Sequence, residues 1–173
     1  FNQALQEISS IKSMTFGYTS PSSGDRWTSS VEMTGSEMEE VQANIKLADV
    51  RYPQTYGIEL LAGRFYGESD TIREVVVNEA FIRKFGIEDP NDALGREVEF
   101  WNDFPVPIVG VVKNFHAVSL LDDLGPLLLS TDLESYEEAG LKISPQNVSE
   151  TLKEIEAGWT AVYPAYVFDY QFL

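Results

Sequence analysis

Apolar residues recur along this chain in two rhythms, and each predicts a kind of element. Val41, Ala43, Ile45 and Leu47 alternate with Gln42, Asn44 and Lys46. That period of two predicts a strand with one face in a core and the other in water. Trp27, Ser29, Val31 and Met33 alternate in the same way with Thr28, Ser30 and Glu32, and Met14 to Thr19 predicts a further strand. Short apolar runs predict strands over 75–77, 97–100, 106–113, 127–130 and 140–144. Pro107 sets the start of its strand at an edge or a bulge. At the end of the chain Tyr166, Phe168, Tyr170 and Phe172 alternate with Val167, Asp169 and Gln171, which predicts a closing strand.

The second rhythm is helical. Leu5, Ile8 and Ile11 predict an amphipathic helix within 2–12. Pro53, Tyr56, Leu60 and Leu61 predict a short helix leading into Ala62, Gly63, Arg64 and Phe65. Asn78 stands where a helix cap belongs, with Glu79 in the first turn, Phe81, Ile82 and Phe85 on the apolar side, and Gly86 placed to stop the helix. Val148, Leu152, Ile155, Trp159 and Val162 predict the best-defined helix, over 148–162. Asn147 with Glu150 reads as its capping box, in preference to the glycosylation acceptor pattern of Asn147, Val148 and Ser149, and Pro164 ends it. Polar or turn-forming stretches at 20–25, 35–40, 67–71 and 89–90 and a leucine-rich link at 119–124 separate these elements. The order predicts an α+β fold whose final strand, helix and strand form a βαβ unit.

The sequence excludes much chemistry. Its 28 acidic against 12 basic residues give a net charge of −16, which repels a nucleic-acid backbone and anionic lipid headgroups. Without cysteine there is no disulfide, no thiolate nucleophile and no Cys-ligated metal. The one histidine, His116, cannot make a multi-histidine metal site, and no nucleophile elbow or phosphate loop occurs. Adjacent acids such as Glu39 and Glu40, Asp122 and Asp123, or Glu137 and Glu138 are expected by chance in so acidic a chain. No apolar stretch is long enough to cross a bilayer. The chain opens on Phe1 without a leader pattern, and we read it as a piece cut from a longer protein.

From Asp49 onward the order of motifs resembles the MacB-like periplasmic core domain of MacB/FtsX-type ABC-transporter permeases, in the version common among Bacteroidetes. The resemblance rests on Tyr56 to Phe65 with Gly63 and Arg64, then Asp70, then Val75 to Ala80 with Asn78 and Glu79. It continues through Phe85 and Gly86, Asp89 and Pro90, Leu94 and Gly95, and Val109 to His116 with Gly110 and Val111. It ends on Lys142 to Asn147, Trp159, Tyr163, Pro164 and Phe168. Asp92 and Ala93 depart from the usual Pro-Ile-Gly turn. The glycines read as scaffold positions, with Gly63 permitting a turn and Gly110 a bulge or close backbone contact.

The resemblance implies a mixed two-lobe domain between two transmembrane helices: a porter-like lobe from 1–50 and 120–173, and a smaller sabre-like lobe from 51–119 inserted between them. It implies a place on the periplasmic face of the inner membrane, no cofactor, and a role in coupling cytosolic ATP hydrolysis to movement outside. The partners it implies are the protein's own transmembrane helices, an ATP-binding subunit or domain, a periplasmic adaptor or lipoprotein, and a second copy in the full-length transporter. The loops at 21–25 and 69–72 are where partners are expected. Two alternatives stay open: a module binding a small molecule, peptide or lipid between the lobes, and a hydrolase with two acids facing each other across a cleft.

Overall fold

The computed structural model describes residues 1–21, 27–38, 40–101, 104–116 and 124–173. The leucine-rich link and the acids Glu39, Asp122 and Asp123 therefore lie wholly or in part outside the described residues, as does most of the loop at 21–25. The chain groups into two compact units, Thr15–Gly140 and the pair of end segments Phe1–Met14 and Leu141–Leu173.

The larger unit is built on a seven-stranded sheet. Its strands are β2 (Thr28–Met33), β3 (Val41–Leu47), β4 (Leu60–Gly63), β5 (Val75–Asn78), β6 (Glu97–Glu99), β7 (Val106–Val112) and β8 (Leu127–Ser130). They run in the order β4-β7-β5-β8-β3-β2-β6, and a further pairing of β6 with β7 closes the order on itself. Two pairs are parallel, β3 with β8 and β5 with β7, and the others are antiparallel. The sheet draws β2, β3 and β8 from 1–50 and 120–173, and β4 to β7 from 51–119.

The alternation of side chains sorts the core onto the two faces of this sheet. Val75, Val77, Val111, Leu128, Val31 and Ile45 join one apolar cluster, and Val76, Val112, Leu127 and Leu129 join the other. Every residue of β5 and of β8 is therefore buried, which is why both read as short continuous apolar runs. Helix α3 (Glu79–Lys84) sends Phe81 and Ile82 into the first cluster. Helix α2 (Tyr52–Tyr56) adds Tyr52 to the second.

In the smaller unit, α1 (Asn2–Gln6) packs beside α4 (Val148–Val162). Leu5 and Ile155 are buried, Ala4 faces Gly158, and the ring of Phe1 meets Trp159 edge-on at 5.3 Å. Strands β1 (Ile11–Gly17) and β9 (Glu138–Ile143) pair with each other, and both run through the division between the units.

Several expectations are corrected. The helix begun at Asn2 stops at Gln6, because Ser9 and Ser10 form a turn and Ile11 already belongs to β1. Helix α2 ends where Gly57 turns left-handed (φ 69), so Leu60 and Leu61 lie in a strand. Lys46 does not face water: it is 2% exposed, and its Nζ donates to Thr19 Oγ1 (2.5 Å) and the Ser20 carbonyl (3.1 Å). Asn147 precedes α4 in the left-handed region (φ 59) and its side chain makes no capping bond; its carbonyl accepts from the N–H groups of Glu150 and Thr151. Residues 166–173 form no strand, and the βαβ unit is absent. Alternation alone cannot make a strand, which needs a neighbour to take its backbone hydrogen bonds.

Candidate functional site

Strand β7 is where most of the motif residues gather. Gly63 of β4 pairs directly with Gly110 of β7, and Ala62 with Val111. On its other side β7 carries a bulge, because Val75 pairs with Ile108 but Val76 with Gly110. The carbonyl of Val109, left over at the bulge, accepts from the N–H of Arg64 at 2.9 Å. At Gly63, which holds φ +74, a Cβ would lie 2.2 Å from that same carbonyl. At Gly110 a Cβ would lie 2.1 Å from the carbonyl of Arg64. Two backbones thus cross at a distance that side chains forbid. Gly95 joins them, its N–H donating to the Ile108 carbonyl at 2.8 Å. Val111 is fully buried.

The side chain of Arg64 turns outward and grips Glu74 with both terminal nitrogens, at 2.8 and 2.5 Å. Glu74 also accepts from the N–H of Gly67 at 3.0 Å, so the loop from 64 to 74 is closed by a fork. The hydrogen bonds between Arg64 and Glu74 hold the Glu74 carboxyl below its ordinary pKa and raise the Arg64 guanidinium above its own.

At the far end of β5, Asn78 is a buried hub, 1% exposed. Its Oδ1 accepts from the N–H groups of Phe81 (2.9 Å) and Leu127 (3.0 Å), and its Nδ2 donates to the Gly125 carbonyl (2.8 Å). One side chain therefore caps α3 and ties its start to β8. Glu79 accepts from the N–H of Asn114 (3.1 Å), while Asn114 Oδ1 accepts from the N–H of Ala80 (2.9 Å). This exchange ties the segment Asn78-Glu79-Ala80 to Asn114, just past the end of β7.

The remaining motif residues stand apart. Gly86 (φ +71) ends α3, Pro90 opens a 3₁₀ turn that buries Ala93, and Asn147 belongs to the smaller unit. Reading the sequence missed Glu74 and Lys46 as partners, since neither position carries a pattern that marks it. Asn114 was legible only as a member of its motif.

The arrangement holds a fold together. Among the described residues no group of His, Cys, Asp and Glu is placed to hold a metal ion. Among the described residues, the carboxyls whose pKa departs from the ordinary value, Glu74 and Asp89, are both lowered, Asp89 by the backbone N–H of Asn91. A general acid needs the opposite shift. Burial raises Tyr52 and Tyr66 and pushes Tyr56 up to about 12, which keeps these phenols protonated. The loop at 69–72 is tied down, with the Ser69 carbonyl accepting from Thr131 Oγ1 and the Asp70 carbonyl from the N–H of Leu133. No helix among the described residues is long and apolar enough to cross a membrane.

The fold is that of the extracytoplasmic domains of MacB-type ABC-transporter permeases. The chain is similar over 94% of its length to the periplasmic region of MacB from Actinobacillus actinomycetemcomitans, with a TM-score of 0.64 at 20% identity, covering 72% of that chain. It is similar over 95% of its length to the extracellular domain of the noncanonical ABC-type transporter YknZ from Gram-positive bacteria, with a TM-score of 0.67 at 13% identity, covering 82% of that chain. A domain of a protein described as a permease, from Porphyromonas gingivalis, matches over 94% of this chain with a TM-score of 0.65 at 17% identity, covering 75% of its own length. No family model and no curated protein matches the sequence.

Proposed function

We propose that this chain is the extracytoplasmic domain of an ABC-transporter permease and that it couples ATP hydrolysis in the cytosol to conformational change and partner handling outside the membrane. The observation that carries the proposal is the shared fold: three such domains superpose on nearly the whole chain. The interior agrees with a part that transmits force. Its motif residues are spent on a backbone crossing, a buried hub and a closed loop, and none is arranged around a reacting atom.

In this reading 1–50 with 120–173 is the porter-like part and 51–119 the inserted, sabre-like part. The domain works beside its own transmembrane helices and an ATP-binding subunit or domain, as a dimer in the full-length transporter, and is not itself a catalyst.

The test begins with the parent gene. The sequence on both sides of this chain should contain apolar segments of about 20 residues. A phosphatase fused within the domain should be active only outside the cytoplasm. In membrane vesicles, nucleotide binding should then change amide exchange within this domain. Polar flanks on both sides, or an exchange pattern indifferent to nucleotide, would overturn the proposal.

A further inference from the structure

Where α4 ends, the smaller unit gathers its aromatic rings. Phe1 meets Tyr163 at 6.2 Å as well as Trp159, and Trp159 lies 4.8 Å from Tyr163. The tail then folds back on this group. The Trp159 indole N–H donates to the Tyr166 carbonyl at 3.1 Å, and the ring of Phe168 returns to 6.4 Å from that of Trp159. Tyr170 and Phe172 follow, at 5.6 and 5.7 Å from the ring before. The tail is thus pinned, yet its apolar side chains stay in the open. Tyr166 is 70% exposed, Val167 89% and Phe172 67%.

Charge is missing from this patch. Residues 157–173 hold one charged side chain, Asp169, and residues 1–6 hold none, although 23% of the whole chain is charged. The backbone adds a second constraint. From Val167 to Leu173, among the described residues, the one bonded backbone group is the N–H of Tyr170, which donates to Asp169 Oδ1. The other peptide groups need water, and a dry protein interface or the hydrocarbon of a bilayer would strand them. The exposed rings gain from the opposite, an apolar surrounding. The boundary between lipid headgroups and acyl chains supplies both. It is wet enough for peptide groups and phenol hydroxyls, and apolar enough for ring bodies.

We propose that the tail at 162–173 seats on a zwitterionic phospholipid surface. The hydroxyls of Tyr163, Tyr166 and Tyr170 lie among the headgroups, and Val167, Phe172 and Leu173 reach the acyl boundary. The proposal rests on the permease reading, which brings a membrane within reach, and it names the lipid surface as a partner of the domain. Net charge decides both headgroup and orientation. At −16 the chain is repelled by anionic lipid, and all but one of its 28 acids lie outside 157–173. This face therefore approaches a bilayer at the least electrostatic cost.

The experiment mixes the intact chain with phosphatidylcholine bicelles, plain or carrying a headgroup spin label, and follows the indole N–H resonances of the three tryptophans. The Trp159 signal should shift saturably with lipid and broaden with the label, while those of Trp27 and Trp101 in the larger unit keep their widths. Co-sedimentation with phosphatidylcholine vesicles gives the affinity. Val167→Ser with Phe172→Ser should weaken it about tenfold, and both side chains are exposed, so the fold is left alone. Phe104→Ser with Leu133→Ser, exposed apolar residues of the larger unit, should change it by less than about twofold. Replacing part of the phosphatidylcholine with phosphatidylglycerol should also weaken binding. No saturable binding, equal losses from the two serine pairs, equal broadening of the three indoles, or tighter binding to phosphatidylglycerol would overturn the proposal. So would self-association of the free chain that the Val167 and Phe172 pair abolishes, which would assign the patch to a second copy. A chain that ignores lipid although apolar segments flank it in the parent gene removes this surface alone, whereas polar flanks remove the permease reading.

Discussion

Asn78 is a small side chain on which three backbone groups depend. Replacing it with alanine leaves the N–H groups of Phe81 and Leu127 and the carbonyl of Gly125 without their partner in a buried place. We expect Asn78→Ala to cost about 3 kcal/mol in urea denaturation, the range for stranded buried polar groups. Asn78→Asp separates the contributions: it keeps both accepted bonds but turns a carboxylate toward the Gly125 carbonyl, and it should remain destabilised. If either variant is as stable as the parent, the hub is not what joins α3 to β8. Glu74 acts through charge instead. Its folded pKa lies below the unfolded value of 4.5, so its contribution is complete above that pH and is lost as the pH falls through the lower, folded value. Glu74→Gln should therefore lower stability at pH 7 and flatten the fall of stability on acidification. A variant whose acid limb runs parallel to the parent's would contradict this.

Among the elements, the crossing of β4 and β7 is the least tolerant. Gly63→Ala or Gly110→Ala should each cost about 3 kcal/mol, because a methyl group would meet the backbone carbonyl of Val109 or of Arg64, neither of which can withdraw without breaking the crossing. Gly86→Ala, in open space after α3, should cost only about 1 kcal/mol for its left-handed backbone. Chemical denaturation of the three variants gives this order or refutes it. Elements that owe their form to local chemistry were legible in the sequence: β3 and α4 fall where their periods place them, and α3 begins at Asn78 and ends by Gly86. Elements decided by distant partners were not. The tail at 166–173 alternates like a strand, but among the described residues it takes no place in a sheet. Leu60 and Leu61 sit at helical spacing from Tyr56, but β7 claims them. Lys46 has the pattern of a wet face, but Thr19 and Ser20 come down over it. The candidate site was partly legible as well. Its motif residues could be named from their order, but the pairing of Gly63 with Gly110, and of Glu79 with Asn114, exists only once the sheet is assembled.

For the molecule as a whole the dominant long-range force is its own charge. At −16, self-repulsion works against the compact state. Raising sodium chloride from about 10 to 150 mM shortens the Debye length from about 30 to 8 Å and should raise the main unfolding temperature by about 2–4 °C. A flat or falling temperature would mean that local ion pairs outweigh the net field. The closed strand order has a consequence of its own. Its closing member, β6, is only three residues long and holds two paired positions to each neighbour. One of those positions faces Pro107, which has no N–H to give, and another sets Glu32 against Glu99. A hoop with one weak clasp opens at the clasp. Deuterium should enter the amides of β6 well before those of β5 and β8, so that the barrel unfastens where its acidic seam lies while its valine and leucine staves stay locked.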